Sequence, residues 1–396
     1  MQAIRDEAGL LAHDPQWVVF WAGHVRPGQF AIWAPYLRRS RYRTLVARNG
    51  RMPIDDGVLA AVEPMPRAAV ALVEPFDELV AWLARLPDLR GFLYVGSYRQ
   101  NAELMEAFPL ATHVWIGHGE SAKKANRHRT ATVYDSVFVA DHEAVRRYRR
   151  GPRQWIAAGA CAIGVPVVEG LRADPWTTPR PIRTLLYAPT WEGGSAASDY
   201  GSLPVVTPAL LDALPTLRAR RIEVIVRPHP SSGHRLPERA AMVEALLAGG
   251  AVTEPDKAAA MTRADVLIGD VSGLTSEFLF TRKPVLMPVW PELDAVIDAR
   301  TRDREYPFAD AWDPAREPLA DRLAALERDD PLAGIRDRTA RRVFRGHRSM
   351  EEAVATFDLA LATARLRGGR LSVRRRFELR RRIARRSAAT MDRWTR

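Results

Sequence analysis

The chain has 396 residues, 47% of them hydrophobic, which suits two cores of ordinary size better than one. Its single cysteine, Cys161, excludes an internal disulfide framework and a cysteine-built zinc site, and reads as a small buried apolar residue. The formal charge of +12 sits almost wholly in the tail, where 13 arginines between Arg365 and Arg396 stand against Glu378 and Asp392; this net +11 leaves the preceding body at +1 and argues against a uniformly basic nucleic-acid binder.

The first residues, "MQAIRDEAGLLAHDPQ", carry acids and no apolar core of signal-peptide length, so no export is expected. The runs "WVVFWA" and "AAVALV" fall well short of the roughly 20 residues of a membrane-spanning helix. Short apolar runs then alternate with helical stretches, the pattern of parallel α/β folding. Strands are expected at 17–22, 69–73, 91–96, 112–117, 136–141 and 154–159, with helices over "FDELVAWLARL" and "NAELMEAF" among them. A turn-rich stretch, "LRADPWTTPRP" at 171–181, favours neither helix nor strand and reads as an interdomain linker. The alternation restarts with strands at 183–190, 222–230, 264–270 and 284–289, and helices over "TPALLDALPTLRARR" and "PERAAMVEALLAGG". A late helix, "SMEEAVATFDLALATARL", opens with Ser-x-x-Glu, a capping-box signature, and can return across the first domain. The expectation is two doubly wound domains, 1–170 and 171–345, with a cleft between them, then a return helix at 346–366 and an arginine-rich tail at 367–396.

In open α/β sheets ligands sit beyond the carboxyl ends of strands, and four motifs fall there: "GHGES" at 117–121, "YAPTWEGG" at 187–194, "RPHPSSG" at 227–233 and "GDVSGLTSEFLF" at 269–280. In the last, Asp270 ends a strand, Ser272 and Gly273 make a turn, and Thr275 and Glu277 enter a helix whose first N–H groups can face an anion. The hydroxyls of Ser272 and Thr275 can donate to phosphate, and Glu277, an acceptor, suits sugar or polyol hydroxyls. The bland reading is a capped helix with no ligand. Two prolines stiffen "RPHP", so that Arg227 and His229 can both be aimed at a diphosphate. Alternatively, His229 satisfies a loop carbonyl and Arg227 pairs with a carboxylate. Thr190 and Trp191 either line the ligand site or pack an interface. His118, a lone histidine at a strand end, is by itself open between catalyst and turn residue.

These motifs carry a resemblance. "YAPTW", "RPHP", Asp270-x-Ser272-Gly273 and "KPV" at 283–285 stand in the order and approximate spacing of the CDP-glycerol glycerophosphotransferase family, the teichoic-acid polymerases and primases. "HGESAKK" is similar to that family's His-Gly-Thr-Pro-Leu-Lys-Lys stretch, with His118, Gly119, Lys123 and Lys124 in register. The resemblance covers roughly residues 112–290. It implies a GT-B fold and transfer of a polyol phosphate from CDP-glycerol or CDP-ribitol to a hydroxyl of a lipid-linked glycopolymer, with release of CMP. His118 corresponds to the family's proposed base, with His229 the second catalytic candidate. Thr190, Arg227, His229, Asp270, Ser272, Gly273, Thr275 and Glu277 fall on the donor side, and Gly119, Lys123 and Lys124 on the acceptor side. Glu120 and Ser121 replace the family's Thr-Pro, and Gly273 replaces a second serine.

No cofactor is expected, since no Asp-x-Asp or His/Asp cluster demands a metal; Mg²⁺ is compatible with the sequence and not required by it. The tail sets Leu371, Phe377, Leu379 and Ile383 among arginines, a composition suited to an anionic bilayer, each basic residue contributing roughly 1 kcal/mol. A cytoplasmic enzyme attached to the inner face of the cell membrane follows, with no nucleic-acid partner. Two classes compete: a GT-B glycosyltransferase or nucleotide-sugar epimerase using a UDP-sugar, and a non-catalytic nucleotide- or nucleic-acid-binding module.

Overall fold

The computed structural model describes residues 3–4, 7–22, 30–49, 68–73, 75–96, 99–117, 119, 121–123, 134–146 and 160–368. The chain divides into two units, one comprising Met1–Gly119, Arg127–Pro166 and His347–Arg396, the other Glu120–Asn126 and Val167–Gly346. The expected boundary at 170 lies close to the observed one, but the short segment after Gly119 belongs to the second unit, which no local pattern announces.

Among the described residues the first unit carries eight strands: β1 Ala3–Ile4, β2 Trp17–Ala22, β3 Thr44–Asn49, β4 Ala68–Leu72, β5 Gly91–Tyr94, β6 Thr112–Trp115, β7 Ser136–Val139 and β8 Ala160–Ala162. They form one parallel sheet in the order β1-β4-β3-β2-β5-β6-β7-β8. A sheet buried on both faces needs strands apolar on both faces, and Val18, Val19, Phe92, Leu93 and Val114 are fully buried. The sequence reading lacks β3. Its run "TLVARN" has only three apolar residues, and six-residue pairing with β2, Trp17↔Thr44 to Ala22↔Asn49, holds it in the sheet. The strand expected at 154–159 lies outside the described residues, and β8 begins directly after it. Cys161 in β8 is only partly buried, where full burial was expected.

The helix Met350–Gly368 belongs to the first unit. Phe357 packs on Trp33 and Tyr36 at ring distances of 5.5 and 5.6 Å. The buried Asp358 accepts from Ser40 Oγ at 2.5 Å and from the Arg41 N–H at 2.9 Å. At its start Ser349 Oγ accepts from the Glu352 N–H, while the Glu352 carboxylate accepts from the Arg348 N–H, a capping box displaced by one residue. The arginine-rich tail from 369 onward lies outside the described residues.

The second unit is a five-stranded parallel sheet of β9 Thr184–Ala188, β10 Glu223–Val226, β11 Val266–Gly269, β12 Val285–Pro288 and β13 Asp310–Trp312, ordered β10-β9-β11-β12-β13. The short β13 has too little apolar sequence to be read as a strand. The helices Leu203–Ala219, Pro237–Ala248 and Leu319–Arg328 flank the sheet, and Leu210, Leu217, Leu246 and Leu323 join Leu185, Val226 and Ile268 in one core. The first helix starts four residues earlier than "TPALLDALPTLRARR" suggests and contains Pro208 and Pro215.

The stretch 171–181 forms no helix or strand, as read, yet it is bound to the second unit rather than strung as a free linker. Trp176 is buried, the Arg180 guanidinium lies 4.6 Å over its ring, and Arg180 also pairs with Asp174 at 3.1 Å. The Asp174 N–H donates to the Thr281 carbonyl at 2.8 Å.

Candidate active site

Strand β9 lies between β10 and β11, so the loops leaving their carboxyl ends are neighbours. These loops bear "PTWEGG", "RPHPSSG" and "DVSG". Asp270, directly after β11, is 2% exposed, and its Oδ2 accepts from the N–H groups of Thr190 at 2.7 Å and Ser202 at 3.2 Å. Expected as a phosphate-side residue, Asp270 instead turns inward and ties the β9 loop to the start of the Leu203–Ala219 helix. Burial raises its pKa to about 6, against the opposing pull of Ser202, the Thr190 N–H and Lys123.

A second carboxylate, Glu192, was missed by the sequence reading. It is 1% exposed, and its two oxygens accept from the N–H groups of Gly233 at 3.2 Å, Arg235 at 2.7 Å and Leu236 at 3.2 Å. Arg235 returns two bonds, to the carbonyls of Gly193 at 2.9 Å and Glu192 at 2.8 Å. Burial works against the Glu192 charge, but backbone donors, those of Glu192 itself, Arg235, Leu236 and Gly233, outweigh it and hold the pKa below the usual carboxylate range. The β9 and β10 loops are thereby braced together. Gly193 has φ +66°, and a Cβ there would lie 2.3 Å from the Ser198 carbonyl oxygen, so only glycine fits the turn. The signal in the sequence was an acid between tryptophan and Gly-Gly, too short to interpret alone.

On this braced platform the rings of Trp191 and His229 stack at 6.0 Å with an interplanar angle of 20°. The Ser231 N–H donates to His229 Nδ1 at 3.0 Å, which puts the proton of a neutral imidazole on Nε2 and makes that nitrogen a donor. A loop N–H, rather than a carbonyl, thus engages the His229 ring. Arg227 contacts the Pro255 carbonyl at 3.5 Å, and its buried Nε has no hydrogen-bond partner among the described residues. Burial pulls its guanidinium below the usual range, opposed by Glu277 and Asp256.

The turn after β11 is more self-contained than expected. Thr275 is fully buried and its hydroxyl donates to the Asp270 carbonyl at 2.6 Å. With that proton committed, Thr275 Oγ1 accepts from Ser272 Oγ at 3.2 Å, and Ser272 Oγ accepts from the Thr275 N–H at 3.3 Å. Both hydroxyls expected to face phosphate are thus engaged in capping the helix Gly273–Phe278. Glu277 is 4% exposed and pairs with Lys257 at 2.8 Å, which commits one of its oxygens to a cation rather than a hydroxyl.

The candidate base His118 lies outside the described residues, as do Glu120 and Lys124. The residues flanking His118 are described. Gly117 and Gly119 have φ of +65° and +136°, and the Gly117 carbonyl accepts from Trp33 Nε1 at 2.6 Å. Lys123, expected on the acceptor side, lies in the second unit in irregular backbone. Its ammonium donates to Thr190 Oγ1 at 2.8 Å and sits 5.4 Å over the Tyr200 ring. Burial lowers its pKa to about 8, with Asp270 and Asp199 opposing. Among the described residues no three His, Cys, Asp or Glu side chains gather as a metal site, and no helix is long and apolar enough to cross a membrane.

Two parallel α/β units with ligand-side loops at strand ends define a GT-B-like fold, and solved structures share it. A variant of the wall teichoic acid polymerase TagF aligns with a TM-score of 0.51 at 14% identity, over 91% of this chain and 93% of that one. The Phytolacca americana UGT2 complexed with UDP-2-fluoroglucose and pterostilbene aligns with a TM-score of 0.52 at 9% identity, over 88% and 99%. S. aureus MnaA with UDP aligns at 0.50 and 11% identity, over 86% and 94%. No curated protein matches the chain by sequence. Residues 176–309, which include the braced loops, match the family model of CDP-Glycerol:Poly(glycerophosphate) glycerophosphotransferase. The family match lies wholly within the second unit, and the likeness to the solved structures shows the fold.

Proposed function

We propose that the chain transfers a polyol phosphate, glycerol phosphate foremost, from a CDP-activated donor to a hydroxyl of a lipid-linked, teichoic-acid-type glycopolymer. The acceptor oxygen forms a bond to the phosphorus nearest the polyol, the bond from that phosphorus to the CMP oxygen breaks, and CMP leaves. His118 takes the acceptor proton; an imidazole with an ordinary pKa of ~6.5 suits that task near neutral pH, and such positioned transfer contributes on the order of 10²–10⁴-fold. Arg227 and the Nε2–H of His229 meet the charge that grows on the departing phosphate. No metal is needed in this scheme, and added Mg²⁺ or EDTA changes the rate little.

The observation that carries this reading is the coincidence of the family match at 176–309 with the loops that bring Trp191, Arg227 and His229 to adjacent strand ends. The test is incubation of the full chain with CDP-glycerol, CDP-ribitol or UDP-sugars beside a lipid-linked acceptor, following nucleotide release. CMP from a CDP-polyol is expected; UDP from a sugar donor with no CMP would overturn the reading in favour of a glycosyltransferase. Attachment to the inner membrane face through the arginine-rich tail belongs to the same proposal. Flotation with anionic but not neutral liposomes, lost on truncation after Arg365, is the expected result.

A further inference from the structure

We propose that Lys123 is a positioning residue of the nucleotide-side loops in the second unit, holding Thr190 from its side chain while Asp270 holds it from its backbone. Thr190 is gripped twice, by Lys123 Nζ at its hydroxyl and by Asp270 Oδ2 at its N–H, at 2.8 and 2.7 Å. The next residue, Trp191, carries the ring stacked on His229, and Glu192 follows as the brace to the β10 loop. A displacement of Thr190 is therefore transmitted directly to the platform.

The surroundings fit a built-in cation rather than a solvent-facing one. Among the described residues the buried Oδ1 of Asp270 has no hydrogen-bond partner, so its charge lacks full compensation from hydrogen bonds alone. Lys123 is the cation acting on this carboxylate, opposing the burial that raises its pKa. The other charged neighbours are accounted for: Asp199 pairs with Arg239 at 3.2 Å and Arg235 at 3.6 Å. The backbone around Lys123 is held as well, since the Ala122 N–H donates to the Tyr306 hydroxyl at 3.1 Å and Ser121 is buried. The tyrosine beneath the ammonium, Tyr200, leads through Gly201 to Ser202, the second N–H donor to Asp270. One lysine thus touches both ends of the turn that Asp270 closes.

This inference rests on reading these loops as the donor side, and its test separates the two. Amide hydrogen exchange of the full chain, read on peptides spanning 186–194, needs no substrate. In Lys123→Met these amides are expected to exchange at least ~10-fold faster than in the wild type; unchanged exchange would overturn positioning even if the enzyme proves to use another donor. In steady-state assays with the active donor, the KM for donor rises by about tenfold with the acceptor KM within twofold. A rise in the acceptor KM alone would return Lys123 to the acceptor side and sink the proposal. Because Lys123→Met leaves Asp270 uncompensated, Thr190→Val provides a second route that removes the hydroxyl without orphaning a charge. It should reproduce the faster exchange and the donor KM effect, and its failure to do so would overturn the proposal. Asp270→Asn added to Lys123→Met removes the orphaned charge and is expected to restore folding lost in the single variant.

Discussion

The turn at the end of β6 and the loops after β9, β10 and β11 face the same problem with different means. In the first unit Gly117 and Gly119 take positive φ, and one indole N–H, that of Trp33, donates to the Gly117 carbonyl. In the second, two buried carboxylates, Asp270 and Glu192, collect five backbone N–H groups from segments distant in sequence. The comparison teaches that a tight turn can be set by glycine conformation and one reaching side chain. A platform assembled from three loops needs acceptors that reach across them. The second solution carries charge into the interior, so it responds to pH and to loss of partners, whereas the first responds mainly to the loss of glycine.

The sharpest way to break the carboxylate side is Asp270→Ala, which strands the Thr190 and Ser202 N–H groups and leaves Lys123 without its counter-charge. A loss of about 3–5 kcal/mol in denaturant unfolding of the full chain is expected. Gly193→Ala ranks next, at ~2–4 kcal/mol, because it adds a steric overlap with Ser198 to a left-handed backbone. Gly117→Ala is the matching test in the first unit. Its φ is nearly the same, but the nearest atom to the new Cβ is Trp115 Nε1 at 3.4 Å, so only the conformational cost of about 1–2 kcal/mol applies.

A pH titration sharpens the same contrast. The Asp270 carboxyl is raised to about 6, so it adds stability that is fully present below the ordinary pKa of 3.8 and lost as pH rises through about 6. Lys123 is lowered to about 8 from 10.5, so its contribution is present above 10.5 and lost as pH falls through about 8. Measured against Asp270→Asn, the wild type should gain on the order of 1–3 kcal/mol as pH falls from 7 to 4. A pH-independent difference would refute the buried-charge account. The smallest effect is expected for Trp33→Phe, which keeps the ring packing on Phe357 and removes the bond to the Gly117 carbonyl, about 1 kcal/mol by thermal unfolding.

Much of the site was legible because its residue types announce chemistry at strand ends. Arg227, His229 and Thr190 were selected by position alone, and all three lie on adjacent loops of the second unit. Ser272 and Thr275 were selected by the same rule, yet their hydroxyls close a cap, since a hydroxyl's direction depends on the nearest acceptor and not on sequence order. Glu192 was passed over because its three donors lie more than 40 positions further along the chain. Strands β3 and β13 escaped for a related reason: pairing, rather than an apolar run, makes them strands.

The sequence by itself determined the alternation of β and α, because strands buried on both faces must be apolar throughout and therefore stand out as unbroken runs. It also placed Thr190, Arg227 and His229 just beyond strand ends of the second unit, because parallel strands put their carboxyl ends on one edge. Tertiary structure alone decided that Asp270 looks inward, that Glu192 braces two loops and that Lys123 belongs with Thr190. A carboxylate or an ammonium has the same sequence whether it meets a ligand or a backbone N–H. Its partner is chosen by what the fold brings within about 3 Å, here across 80 residues for Asp270 and Thr190 and 67 for Lys123 and Thr190.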